Sequence, residues 1–164
     1  MSNNSLEKIR NKIFTETETS KHLLDSWRKK EETLVFTNGC FDILHRGHIE
    51  LLSKASDLGT RLIIGLNDDN SVRRLKGPER PVQDEHSRAL ILASLEFVDA
   101  VIFFKEDTPI SLIEFIRPDV LVKGGDYSAD EIVGYDFVTG NRGKVVILDF
   151  VKGFSSSSIM NRIK

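Results

Sequence analysis

The sequence predicts an α/β fold, a doubly wound (Rossmann-like) parallel sheet of five strands with helices on both faces. From residue 33 onward, short β-rich runs alternate with amphipathic helical stretches. The predicted strands are continuously apolar, which is typical of strands that helices cover on both sides. Glycine and polar residues follow the strand ends, where doubly wound sheets bind their ligands.

Residues 1–32 differ from the rest, because apolar residues at helical spacing predict two short helices there. We interpret this segment as a helical N-terminal arm packed on a domain formed by residues 33–164. In that domain, the predicted strands cover residues 33–37, 61–66, 100–104, 119–122 and 144–148. The predicted helices cover residues 47–58, 69–75, 84–97, 109–116 and 155–163. Right-handed crossovers then bring the carboxyl ends of the strands to one edge of the sheet.

Composition limits the classes of function. The chain has 164 residues, 40% of them hydrophobic, which suits a single domain with a substantial core. A net charge of -2 argues against nucleic acid or a membrane surface as the partner. The single cysteine, Cys40, allows no intramolecular disulfide and fits a reducing compartment. No apolar run of about 18 residues and no basic-then-apolar leader occur, so the expected location is the cytoplasm.

Two histidines, His45 and His48, follow the first predicted strand and open the next helix. Such a junction presents backbone N–H groups together with the positive end of the helix dipole, and both attract anions. The spacing puts both imidazoles on one side of the helix, and Gly47 lets the backbone approach a ligand. The chain has neither a P-loop nor a dinucleotide-binding glycine motif. We therefore predict that the pair binds a phosphate that is attacked.

Two other interpretations of the pair remain open. The histidines could be ordinary surface or capping residues. Cys40, His45 and His48 could instead hold a metal, but no fourth ligand has convincing spacing, so we name no metal ligand. We interpret Cys40 as a small buried packing residue rather than a nucleophile.

The expected chemistry follows from the charge of a phosphate monoester. Near pH 7 a monoester is largely dianionic, so it attacks a phosphorus atom without a strong general base. It needs alignment and neutralisation of negative charge, which His45 and His48 would supply. Mg²⁺ would bridge phosphate oxygens. Lys76 and Arg88 are the candidate catalytic cations, although each could be a solvated surface residue.

The segment Thr37–His48 resembles the signature of the HxGH nucleotidyltransferase superfamily. Further segments resemble the bacterial heptose-1-phosphate adenylyltransferase family, and these are Arg74–Gly77 with Arg80–Val82, Glu106–Pro109, Pro118–Tyr127 and Glu131–Gly134. The resemblance covers about residues 33 to 164. It implies adenylyl transfer from ATP to D-glycero-β-D-manno-heptose 1-phosphate, which gives ADP-heptose and pyrophosphate for lipopolysaccharide core synthesis.

The resemblance also implies roles for individual residues. Lys76 resembles the lysine of the superfamily's mobile loop, and Asp126 follows glycines that approach the nucleotide ribose. The serines that open the last helix would bind the β- and γ-phosphates, although the family more often has threonines and a cysteine there. Asp42 could instead only stabilise its turn. The implied nucleotide-binding residues are Thr37, Asn38, Gly39, Cys40, Phe41, Asp42, Gly47, Gly124, Gly125, Asp126, Gly153, Ser155, Ser156 and Ser157.

Relatives in the superfamily often form dimers, so the resemblance implies a homodimer that acts on small molecules, ATP and a sugar phosphate. Two alternatives stay open from the sequence. The same chemistry could use CTP and glycerol 3-phosphate or another phosphorylated acceptor. Alternatively, the domain could bind a nucleotide without turning it over.

Overall fold

The structure, a computed structural model, describes residues 4–149 and 153–163. Its strands are β1 (Ile13–Phe14), β2 (Leu34–Gly39), β3 (Arg61–Asn67), β4 (Ala100–Phe104), β5 (Val120–Gly124) and β6 (Lys144–Leu148). Its α-helices are α1 (Ser5–Arg10), α2 (Glu18–Lys29), α3 (Arg46–Ser56), α4 (Asp69–Lys76), α5 (Glu85–Ala93), α6 (Ile110–Ile116), α7 (Tyr135–Gly140) and α8 (Ser156–Ile163). No helix in the described ranges is long and apolar enough to cross a membrane.

The strands form one parallel sheet in the order β1-β4-β3-β2-β5-β6. The predicted parallel sheet is therefore confirmed, but the count of five strands was wrong. The sixth strand is β1, where Ile13 pairs with Val101 at the edge of the sheet. Lys12 anchors this strand, because its carbonyl accepts the Val101 N–H at 2.8 Å and its Nζ donates to the Val98 carbonyl at 2.7 Å.

The N-terminal segment is consequently not an all-helical arm. Two helices flank a strand, and Ile13, which the sequence places on a helix face, lies in that strand. Two residues are too few to show a strand period, so the pairing with β4 decides their conformation. The boundary at residue 33 stays a prediction.

Helices cover both faces of the sheet, as predicted. On one face, Phe36 and Ile63 pack with residues of α2, α6 and α7, including Leu24 and Leu112. On the other face, the neighbouring strand residues Val35 and Ile64 pack with α3 and α5. This alternation along β2 and β3 explains why both strands are apolar throughout. Burial on both faces also leaves the strand ends as the place where polar side chains can collect.

Gly65 in β3 packs directly against the ring of Phe36 in the neighbouring strand β2. A Cβ at this position would lie 2.7 Å from Cζ of Phe36 and 3.1 Å from Cδ2 of Leu112. We expect Gly65→Ala to lower the free energy of unfolding by about 1–3 kcal/mol, since the ring is fixed in the core. Urea unfolding measures this loss. Gly140→Ala is the control, because nothing lies within 4 Å of its added Cβ, and an equal loss in both variants would contradict the packing argument.

Candidate active site

A cleft lies at the carboxyl ends of the central strands, where the sequence predicted a site. It consists of two adjoining cavities of about 550 Å³ and about 440 Å³. The larger cavity is lined by the turn after β2 and by the ends of β3 and β5. The smaller is lined by the start of α3 and the segment that opens α8. Both cavities share His48, Leu51, Lys76 and Ser156, so they form one continuous cleft.

The two histidines face each other where the cavities meet. His45 is the N-cap of α3, and its carbonyl accepts the His48 N–H at 2.9 Å. Their rings stack with centroids 3.8 Å apart and an angle of 24° between the planes. Phe41 packs beside His48, and Phe154 stacks on His45. Packing therefore orients both rings without using their Nδ1 atoms, which are buried and have no hydrogen-bond partner in the described part of the chain.

The environment keeps both imidazoles neutral at physiological pH. Burial, the largest cause, together with electrostatic repulsion from His45 and Lys76 lowers the pKa of His48 to about 4. Burial also lowers the pKa of His45. A neutral imidazole carries one N–H donor and one acceptor nitrogen. The pair can thus donate hydrogen bonds to an anion, while Lys76 and the N-terminus of α3 supply positive charge.

The low pKa of His48 predicts pH-dependent stability. Its pKa rises from about 4 in the folded chain to an ordinary 6.5 on unfolding, so only the unfolded state binds this proton between those values. Protonation of His48 therefore does not change the free energy of unfolding above pH 6.5, and it lowers this free energy as the pH falls from 6.5 toward 4. As the pH is lowered from 6.5 to 4, we expect the urea midpoint of the wild type to fall more steeply than that of His48→Asn. Parallel pH profiles of the two proteins would contradict the assignment.

Asp42 anchors the loop that follows Lys76. Its buried carboxylate accepts the Arg80 Nε–H at 2.6 Å and the backbone N–H groups of Val82 at 2.8 Å and Gln83 at 3.1 Å. Arg80 also donates to Sδ of Met160 in α8 at 2.7 Å. The interpretation of Asp42 as a local turn residue therefore misses its partners, which lie about 40 positions away along the chain. Asp42 connects the histidine turn, the Lys76 loop and α8.

Arg88 lies behind the turn rather than in the cleft. The side chain is 1% exposed and donates to the Cys40 carbonyl at 2.6 Å, the Gln83 carbonyl at 3.1 Å and Asp69 at 2.7 Å. All three guanidinium nitrogens are thereby occupied. The sequence predicted a catalytic cation here, but the structure does not bring Arg88 to the cavity wall. Its contacts instead hold the backbone of the turn that carries the histidines.

Cys40 is buried in the same turn. Burial raises the pKa of its thiol, so the reactive thiolate is disfavoured. Its Sγ lies 4.0 Å from Oδ1 of Asn67. These surroundings agree with a packing role.

The family of the chain follows from a match along most of its length. A sequence model described as cytidylyltransferase-like matches residues 36–162, which include the residues that line both cavities. The chain belongs to the cytidylyltransferase-like family. It is therefore a nucleotidyltransferase, the reaction class that the sequence predicted.

Curated relatives of this cytidylyltransferase-like chain carry the name bifunctional protein HldE. The protein from Nitrobacter hamburgensis is 52% identical over 151 residues, which are 92% of this chain and 31% of the relative. The protein from Helicobacter hepaticus is 56% identical over 135 residues, which are 82% of this chain and 27% of the relative. The chain thus spans less than a third of the length of these relatives.

Two solved structures share the fold. The lipopolysaccharide core biosynthesis protein from Thermoplasma volcanium superimposes with a TM-score of 0.61 at 28% identity, covering 75% of this chain and 99% of that protein. Pantoate-beta-alanine ligase from Francisella tularensis superimposes with a TM-score of 0.59 at 17% identity, covering 92% of this chain and 77% of the ligase. The second likeness supports the α/β architecture alone.

Most of the residues predicted for the site line this cleft. Those that do are His45, His48, Lys76, Thr37, Asn38, Gly39, Cys40, Phe41, Asp42, Gly47, Gly124, Gly153, Ser155, Ser156 and Ser157. Besides Arg88, two predicted residues do not line either cavity. Gly125 donates its N–H to the Leu148 carbonyl at 3.0 Å, and Asp126 is exposed next to it.

Sequence reasoning missed several residues of the larger cavity. Asn67 ends β3, Lys123 precedes the last residue of β5, and Tyr127 follows that strand. Asp107 and Thr108 come from the loop after β4. A signal existed for all five, because each lies at or just after the carboxyl end of a strand in the sheet. Which of those polar residues face the cleft depends on the loops and could not be taken from the sequence.

The described residues of the cleft do not form a metal site of their own. Within residues 4–149 and 153–163, no group of three or more His, Cys, Asp or Glu side chains is placed to hold a metal ion. The carboxylate of Asp42 is occupied by three hydrogen bonds, and that of Asp107 pairs with Arg74 at 2.7 Å. A divalent cation carried on a nucleotide would take its ligands from the phosphates.

Proposed function

We propose that the chain transfers AMP from ATP to D-glycero-β-D-manno-heptose 1-phosphate, giving ADP-heptose and pyrophosphate. The observation that carries this proposal is the stacked histidine pair, which lines the cleft beside Lys76 and the serines that open α8. The relatives named HldE and the structure named for lipopolysaccharide core biosynthesis support a heptose acceptor.

The proposed reaction is a direct displacement at the α-phosphorus of ATP. A phosphate oxygen of the acceptor forms a bond to this phosphorus, the bond from phosphorus to the bridging oxygen breaks, and pyrophosphate leaves with that electron pair. The attacking phosphate is already dianionic, so no residue needs to remove a proton. The role of the chain is to align the two phosphates and stabilise the charge that develops between them.

Each part of the cleft has a task in this reaction. The neutral imidazoles of His45 and His48 donate N–H groups to the oxygens of the α-phosphoryl group. Lys76 and the backbone N–H groups at the start of α8 stabilise the departing pyrophosphate. The Ser156 hydroxyl donates to the Ile43 carbonyl at 3.0 Å, which fixes α8 against the histidine turn. We propose MgATP as the nucleotide substrate, with Mg²⁺ held by the phosphates.

A pyrophosphate-release assay tests the proposal. We expect the highest kcat/KM with ATP and heptose 1-phosphate among pairs that combine ATP or CTP with heptose 1-phosphate or glycerol 3-phosphate. Greater turnover with CTP and glycerol 3-phosphate would replace the proposed substrates by the alternative pair. ATP binding without pyrophosphate from any pair would support a non-catalytic nucleotide-binding domain.

Two further properties are proposals of the same kind. We propose a homodimer, which light scattering coupled to size-exclusion chromatography tests through the mass of the eluting species. We also propose the cytoplasm as the location, because ATP and sugar phosphates are supplied there. Fractionation of cells that express the chain tests the second proposal.

A further inference from the structure

Lys123 is a cation of the cleft that has no task in the reaction described so far. It lines the larger cavity at the end of β5 and does not line the smaller one. In the described part of the chain, the side chain has one hydrogen-bond acceptor, Oδ1 of Asn38, at the long distance of 3.5 Å. None of the ion pairs found among the described residues includes Lys123.

This placement costs free energy in the absence of a ligand. Burial lowers the pKa of Lys123, because removal from water disfavours the ammonium form. The preceding strand residues, Leu121 and Val122, are fully buried and apolar, so an apolar side chain would suit the strand equally well. An ammonium that is half-buried with one weak acceptor can form further strong hydrogen bonds with an anion in the cavity.

The position of Lys123 relative to the histidines indicates which phosphate group Lys123 binds. His48, Lys76 and Ser156 lie where the larger cavity joins the smaller one, on the side proposed for the leaving pyrophosphate. Lys123 and Asn38 belong to the larger cavity alone. In phosphoryl-type displacements the attacking and leaving oxygens lie roughly in line on opposite sides of phosphorus. The attacking phosphate therefore belongs on the side away from the smaller cavity, where Lys123 lies.

We infer that Lys123, with Asn38 beside it, binds the phosphate group of the acceptor. This inference rests on the proposed function. The ligand class is a phosphate monoester of a polyol. Asp107, Thr108 and Glu131 contribute polar side chains to the same cavity, which suits the hydroxyl groups of such an acceptor. Lys123 would thus determine binding of the acceptor and not of the nucleotide.

Steady-state kinetics of Lys123→Met and Lys123→Arg test the inference. Methionine removes the charge at nearly the same length, and arginine keeps it. We expect Lys123→Met to raise the KM for heptose 1-phosphate about tenfold to a hundredfold, as the loss of a charge-assisted hydrogen bond predicts. The KM for ATP should stay within about twofold, and arginine should restore part of the acceptor affinity. Lys144→Met is the matched control, since this exposed lysine begins the neighbouring strand β6 at its other end.

An unchanged KM for heptose 1-phosphate in Lys123→Met, or a rise in the KM for ATP instead, would overturn the inference. Calorimetric titration with heptose 1-phosphate and with glycerol 3-phosphate separates this result from failure of the proposed function. If the wild type binds either monoester but releases no pyrophosphate, the proposed reaction fails, and weaker binding to Lys123→Met still supports the inference. If turnover occurs and Lys123→Met matches the wild type in both measurements, only the inference fails. Thermal unfolding verifies that each variant is folded.

Discussion

Replacement of His48 by alanine is expected to lower kcat for pyrophosphate release by about two to three orders of magnitude. The imidazole is positioned by its stack on His45 and by Phe41, and its pKa of about 4 keeps it a neutral donor. Donors placed at the oxygens where charge develops act mainly on the transition state, so kcat should fall far more than KM for ATP rises. The measurement is initial-rate kinetics with ATP and heptose 1-phosphate.

The fold should survive this change. The buried Nδ1 of His48 has no hydrogen-bond partner in the described part of the chain, so alanine removes a polar atom that stabilises nothing there. Thermal unfolding monitors the fold. His22→Ala is the matched control, because His22 is exposed on α2 and lines neither cavity. A folded His48→Ala protein with the kcat of the wild type would refute the proposed mechanism.

Asp42→Asn is expected to give the largest loss of stability, about 3–5 kcal/mol, as measured for broken buried ion pairs. The substitution keeps the shape of the side chain but leaves the Arg80 guanidinium, which is 11% exposed, without its counter-charge. The amide also replaces one acceptor oxygen by a donor that meets either Arg80 or the Val82 and Gln83 N–H groups. Urea unfolding at pH 7 measures the loss.

The same variant should weaken catalysis through the Lys76 loop. With the anchor of residues 80–83 lost, Lys76 is held less firmly over the phosphates, and we expect the KM for ATP to rise. Asp25→Asn is the control, since Asp25 forms a partly exposed pair with Arg28 within α2, and pairs of this kind contribute about 0–1 kcal/mol. A loss of stability in Asp42→Asn no greater than that in Asp25→Asn would contradict the anchoring role.

The sequence was most informative where structure depends on near neighbours in the chain. β2 to β6 are apolar runs, as strands between two layers of helices require, so their positions were predicted within a few residues. The turn between β2 and α3 was equally clear, because the histidine spacing and Gly47 belong to one local segment. β1 was missed because two residues carry no period, and only the partner strand β4 makes them a strand.

Contacts between distant segments could not be predicted. Arg88 lies on a predicted helix, but its direction depends on the Cys40 carbonyl, 48 positions away. Asp42 is a reasonable turn residue by local rules, and its actual partners come from a loop whose path the local pattern does not specify. Lys123 lies at a predicted strand end, yet its lack of an ion-pair partner among the described residues is visible only once the neighbouring strands and loops are assembled.

The sequence by itself determined the fold class, the histidine turn, the reaction class and most of the residues that line the cleft, because each depends on periodicity or on a short contiguous motif. The tertiary structure alone decided what those residues can do. It stacked His45 on His48, held Arg88 behind the turn, tied Asp42 to the Lys76 loop and left Lys123 facing the cavity. Hydrogen-bond partners and desolvation set these roles, and both arise from segments that meet only when the chain is folded.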